Sequence, residues 1–282
     1  MEAQPQPGLL RRTRRALLRP VLARVARAYI AGDTVEDARR VAARATSLGQ
    51  ASTLGFWDDE RDRPRAVADA YLAALDGLSP PDYVSIKVTA LEYSEALLDE
   101  LAEKARPLGV RLHFDAMWPD SVDRTQRAIE RLLQRHPGLS VGTTLAGTWA
   151  RSVRDAGWVA ERGLAVRVVK GQFPDGSVAD PRAGFEATVN ALAGRAVHVD
   201  VASHDVPLAE ACLRRLAGAG TAHDLELLHG LPTRRSLRSA ASAGVKVRLY
   251  IGYGRAHMPY VVGKVSENPR MILWLARDLL RL

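Results

Sequence analysis

Ala165-Val166-Arg167-Val168-Val169-Lys170-Gly171 is a short, β-branched run that ends on a cation and a glycine. Its length and composition suit a buried strand of a parallel sheet, with the polar end opening into a loop. Upstream lies Leu139–Leu145, separated from it by the helix-like segment Trp149–Arg162. Downstream, Ala183–Ala193 leads to a further strand-like run, Ala196–Ala202. A strand, a helix-length interval and another strand form the unit that a parallel crossover requires.

The same unit recurs in both directions. Strand-like runs occur at Ser52–Trp57, Tyr83–Thr89, Val110–Ala116, Leu225–Leu228 and Lys246–Ile251. Helical segments fit Tyr93–Arg106, Ser121–Arg135, Pro207–Leu216 and Pro232–Ala243. Eight such strands in one series predict a closed (β/α)8 barrel of the α/β class rather than an open sheet. The expected organisation is an N-terminal helical extension over 1–50 and a catalytic barrel over 51–282. No Pro-, Gly- or Ser-rich linker divides the chain.

Polar residues and glycines cluster where these strands end. They include Lys87, Asp115, Lys170-Gly171, Ser203-His204, His229-Gly230 and Gly252-Tyr253-Gly254. Barrel strands converge at their C-terminal ends, so these residues are expected around one mouth, where such folds bind and react with ligands. A turn or cap explains any one of them; it explains the joint placement less well.

The 282 residues carry a formal charge of +8, with much of the excess in Arg11, Arg12, Arg14, Arg15, Arg19, Arg24 and Arg27. Leucine, alanine and valine alternate with these arginines, which fits a solvated helical face first and a membrane-surface helix second. Nucleic acid is not an expected partner, because the later chain has no basic stripe threaded with aromatics. The single cysteine, Cys212, excludes an intrachain disulfide and a cysteine-built metal site, and its helical setting suggests a buried thiol. His113 with Asp115 and His198 with Asp200 share strand faces, but they complete no recognised metal-ligand spacing. No run of 18 apolar residues spans a bilayer. The expected location is cytoplasmic, with peripheral contact to the inner face of the membrane through the basic helix.

Several of these segments, taken together, resemble the proline dehydrogenase family. They are Val84-Ser85-Ile86-Lys87-Val88-Thr89-Ala90-Leu91, Phe114-Asp115-Ala116, Val166-Arg167-Val168-Val169-Lys170-Gly171 and Ser203-His204-Asp205. Glu226-Leu227-Leu228-His229-Gly230, Val247 to Gly254, Tyr260 and Glu267-Asn268 continue the resemblance to near the C-terminus. It implies a barrel that holds FAD and transfers a hydride from the carbon beside nitrogen of proline, or a proline-like amino or imino acid, to flavin N5. The product would be an imine such as Δ1-pyrroline-5-carboxylate, and a quinone or other acceptor would reoxidise the flavin.

By the same resemblance, Thr144, Arg167, Lys170, Gly171, Ser203, His204, Glu226 and Tyr250 would approach the cofactor. Lys87 and Asp115 would lie beside substrate and flavin, Tyr253 and Tyr260 would close around them, and Lys264 and Glu267 would line the terminal active-site helix. Glu226 could instead form a structural ion pair, Ser203 a helix N-cap, and Tyr250 or, less readily, Tyr253 part of the aromatic packing. The chain departs from the family at Gly263-Lys264, where the family carries two arginines that bind the substrate carboxylate. A lysine holds a carboxylate as a flexible point charge and lacks the rigid two-pronged fork of arginine. Ala146, Met117 and Gln172-Phe173 also differ from the usual pattern. Two other readings follow: a flavoenzyme for a non-proline secondary amine, or a degenerate barrel that binds without catalysis.

Overall fold

A computed structural model describes residues 30–59, 61–231 and 233–255. Within them, eight parallel strands close into a barrel in chain order. The strands are β1 (Ala51–Phe56), β2 (Tyr83–Ile86), β3 (Arg111–Phe114), β4 (Val141–Ala146), β5 (Ala165–Val169), β6 (His198–Ala202), β7 (His223–Leu228) and β8 (Val247–Tyr253). The helices are α1 (Val35–Ser47), α2 (Pro64–Leu75), α3 (Glu95–Leu108), α4 (Val122–Arg135), α5 (Arg151–Glu161), α6 (Pro181–Leu192), α7 (Val206–Gly218) and α8 (Arg234–Ala243).

The predicted barrel is therefore present, with each anticipated strand found to within a few residues. Helix α2 adds a crossover that the sequence reading did not name. Pro64 occupies its first turn, where no backbone donor is needed. Of the helical extension, α1 lies within the described residues; the arginine-rich segment before it lies outside them. A reciprocal cap fixes the start of α1, with Thr34 accepting from the Asp37 backbone and Asp37 accepting from the Thr34 backbone. No helix among the described residues is long and apolar enough to cross a membrane.

Strand parity decides what fills the barrel. Outward positions such as Leu54, Val84, Leu112, Val166, Val199 and Ile251 are buried in the apolar layer between sheet and helices. Cys212 on α7 joins that layer, where burial pushes its thiol up to about 12. Inward positions are polar: Tyr83, Arg167, Asp200, Glu226 and Arg248 are all nearly inaccessible to solvent. A barrel axis is usually filled by branched apolar side chains. Here, charge-paired side chains fill it.

Candidate active site

Arg167 on β5 is the hub of the upper interior. Its guanidinium forks onto Glu226, with Nε to Oε2 at 2.7 Å and Nη2 to Oε1 at 3.1 Å. Nη1 donates to Asp115 Oδ1 at 2.6 Å and to Ser85 Oγ at 3.0 Å. The guanidinium carbon lies 4.9 Å from the centre of the Tyr250 ring. Burial opposes the Arg167 charge, but Glu226, Tyr83 and Asp115 outweigh it and hold the pKa well above its ordinary value. Burial raises the Glu226 carboxyl, and Arg167 pulls against that rise.

Asp115 is held on three sides. Besides Arg167, Ser85 donates to Oδ1 at 2.6 Å, and the Tyr250 hydroxyl donates to Oδ2 at 3.4 Å. Gly55 on β1 makes room for that tyrosine, because a Cβ there would stand 2.2 Å from the Tyr250 hydroxyl. Lys87 follows β2 into the mouth. Its ammonium donates to the Phe56 carbonyl at 2.7 Å and to Asp58 at 2.8 Å. The two residues singled out together in the sequence thus have separate partners, Asp58 for Lys87 and Arg167 for Asp115.

Below this set, Tyr83 links the upper interior to the barrel floor. Its hydroxyl donates to Asp200 at 3.0 Å and accepts from Arg167 Nη2 at 3.3 Å. Asp200 also meets Arg111 at 3.1 Å, His198 at 3.1 Å and Arg248 at 3.4 Å. Its burial alone would raise the carboxyl, but these cationic and hydrogen-bonding neighbours hold it well below the usual range. Thr144 faces inward and meets His113 Nε2 at 3.0 Å. Burial, with Arg167 and Arg111 nearby, keeps His113 neutral well below the ordinary histidine pKa.

A second group forms the rim over β4, β5 and β6. Lys170 and Arg182 both bond Asp205 Oδ2, at 3.1 and 3.0 Å. Arg182 also lies 3.6 Å from Glu186, so these two cations face two carboxylates. Gly171 has φ +103°, and a Cβ there would lie 2.1 Å from Thr148 Oγ1. That hydroxyl is buried with no hydrogen-bond partner among the described residues. His204 Nε2 accepts the Leu228 backbone N–H at 2.9 Å, and Ser203 Oγ accepts that of Asp205 at 3.2 Å. The cap of α7 is Asp205, which accepts from Leu208, rather than Ser203.

The structure therefore brings Lys87, Asp115, Arg167, Glu226 and Tyr250 to the upper interior, and Lys170, Gly171, Ser203 and His204 to the rim. Glu226 forms the ion pair that its alternative reading named. The engaged donors of Arg167 all point inside the barrel, so the rim cations are Lys170 and Arg182. Tyr253 is a correction of placement. Its hydroxyl bonds Ala70 O on α2 at 3.0 Å and its ring packs 5.5 Å from Phe56, in the layer between sheet and helices. Tyr260, Lys264 and Glu267 lie outside the described residues.

The sequence reading missed Asp58, Ser85, Arg182 and Thr148. Ser85 shares strand parity with Lys87, and Arg182 opens α6 directly after a proline, so both left a signal. Nothing local marked Asp58 or Thr148, whose significance comes from neighbouring loops.

No protein-family profile matches the chain. Proline dehydrogenase of Deinococcus radiodurans is 25% identical over 294 residues, covering 94% of this chain and 93% of that protein. Proline dehydrogenase 1 of Bacillus subtilis is 22% identical, covering 91% of each. Among solved structures, proline utilization A from Bdellovibrio bacteriovorus aligns with a TM-score of 0.72 at 19% identity. That alignment covers 86% of this chain but spans 32% of the longer protein. The chain is thus similar over nearly its full length to two proline dehydrogenases, and its barrel shares the fold of the matching part of proline utilization A.

Proposed function

We propose that this protein is an FAD-dependent oxidoreductase that oxidises proline or a proline-like amino or imino acid at the carbon beside nitrogen. The observation that carries the reading is the polar mouth, where Asp115 is fixed by Arg167, Ser85 and Tyr250, with Lys87 on the neighbouring strand end.

The residues present fit the cofactor. Lys170 and Arg182, both partly exposed at the rim, offer cationic donors to a diphosphate. The unpartnered Thr148 hydroxyl beside Gly171 supplies a donor where the backbone is free of side-chain bulk. When bound, the flavin supplies the two-electron acceptor for a hydride. The chain's own residues do the rest. Asp115 presents fixed negative charge beside the mouth, and Lys87 presents fixed positive charge. Ser85, Arg167 and Asp58 hold those two side chains in single poses, which lowers the cost of orienting a substrate.

A second reading rests on one specific observation, Gly263-Lys264 in place of the arginine pair. Losing a bidentate carboxylate fork favours a secondary amine whose carboxylate is absent or held differently. Anaerobic mixing of the purified flavoprotein with proline and a panel of cyclic amines distinguishes the two. Bleaching of the flavin absorbance by proline supports the first reading. Bleaching by a non-carboxylate amine alone supports the second. Failure to retain flavin after reconstitution overturns both and leaves a binding barrel. A quinone acceptor and a membrane-surface role for the basic N-terminal segment belong to the same proposal.

A further inference from the structure

A cavity of about 190 Å³ opens on the barrel floor, at the end opposite the mouth. It is walled by the starts of β3, β4, β5 and β6, together with α4 and the turn after α5. Interiors leave few voids larger than a water, because empty space forfeits contacts. The cavity is smaller than the roughly 300 Å³ at which drug-sized ligand pockets begin. It therefore suits a ligand of a few carbons.

The lining has a definite chemistry. Each ionisable side chain that lines it is a base: Arg111, Arg162 and His198. Ser140 adds a hydroxyl, and Leu133, Leu139 and Leu164 form an apolar wall. The bases are braced by carboxylates outside the lining. Asp200 holds Arg111 at 3.1 Å and His198 at 3.1 Å, and Glu130 holds Arg162 at 2.7 Å. Arg111 also stacks over Tyr83 at 4.6 Å, and Arg162 over Trp158 at 5.0 Å. Both guanidiniums are thus oriented before any ligand arrives, which reduces the entropy lost on binding.

A cation is a poor occupant. His198, Asp200 and Asp224 can bring ligand atoms within 4.8 Å of one another, but Arg111 and Arg248 already engage these carboxylates. We propose that the cavity binds a short-chain aliphatic monocarboxylate, its carboxylate on Arg111 and Arg162 and its chain against the leucine wall. The inference is independent of the reaction assigned to the mouth.

Isothermal titration of the full-length protein with 4-methylpentanoate, and in parallel with its primary amide, tests this directly. The acid is expected to bind at least about tenfold more tightly than the amide, because only the acid forms charge-assisted bonds. Val197 sits at the cavity and is 55% exposed, so replacing it leaves the core untouched. Val197→Glu is expected to weaken the acid by about tenfold or more through like-charge repulsion, and Val197→Gln to leave it nearly unchanged. Equal affinity for acid and amide overturns the proposal. So does the absence of binding heat with either ligand, or Val197→Glu binding as the parent does. Acid binding that Val197→Glu leaves unchanged is binding elsewhere, the mouth included.

Discussion

At the scale of single residues, the paired charges of the interior cannot be removed one at a time. Arg167→Met leaves Glu226 buried without its partner and should destabilise the fold by about 3–5 kcal/mol, read from urea denaturation. Adding Glu226→Leu removes the stranded charge and should recover much of that loss. Lys87 behaves differently because its bracket is local. Asp58→Asn keeps the packing but removes the fixed charge beside the ammonium. Flavin reduction by amine should then slow several-fold while flavin content stays at the parental level, measured by anaerobic rapid mixing. Loss of flavin from that variant would instead make Asp58 a cofactor-site residue.

Which site residues were legible in the sequence follows from parity and from loops. Lys87 and Asp115 follow strand ends, so their convergence could be read from the alternation of strands and helices, whereas Arg167 and Glu226 were marked by the family resemblance. Tyr253 was not a mouth residue by reason of parity. Inward Tyr250 lies three positions away, and strand faces alternate every residue. The Lys87–Asp58 pair was hidden because it joins two loops whose approach depends on barrel closure.

At the scale of elements, the turn after β5 carries the sharpest constraint. Gly171 has positive φ and almost no space for a Cβ, so Gly171→Ala combines backbone strain with a clash on Thr148. The expected outcome is a stability loss of about 1–3 kcal/mol, together with weakened flavin retention, measured by denaturation and by flavin absorbance after gel filtration. The strands themselves were legible because each is a compact apolar or β-branched run. Their ends were less so. Tyr83–Thr89 was anticipated, yet β2 stops at Ile86, where Lys87 O and Val88 O turn to accept from Ala90 and Leu91. Helix α2 escaped notice because Pro64 reads as a breaker until it is placed in a first turn.

At the scale of the molecule, the buried histidines and Asp200 each make stability depend on pH with a definite sign. His113 and His229 are held neutral by burial, with folded pKa values below the ordinary 6.5. The unfolded chain therefore takes up these protons first, and stability falls as pH drops below about 6.5. Asp200 has a folded pKa lowered from 3.8, so its contribution is complete above that value and is lost as pH falls towards the folded one. Urea midpoints across pH should show two acid limbs. His113→Gln should shrink the upper limb and leave the lower one. A flat profile down to about pH 4 would contradict neutral burial of these histidines.

The closed barrel could be anticipated from the alternation of strands and helices, whereas the polarity of its axis could not. Alternate positions such as Arg167, Asp200 and Arg248 lie far apart in the chain, and only closure pairs them.

The central claim is that a hydride leaves the carbon beside nitrogen at this mouth. Its most direct measurement is anaerobic flavin reduction by proline carrying deuterium at the ring carbon that becomes the imine. Slower reduction than with ordinary proline is expected, by a primary isotope effect. Equal rates, measured where the bond-breaking step limits reduction, would contradict it.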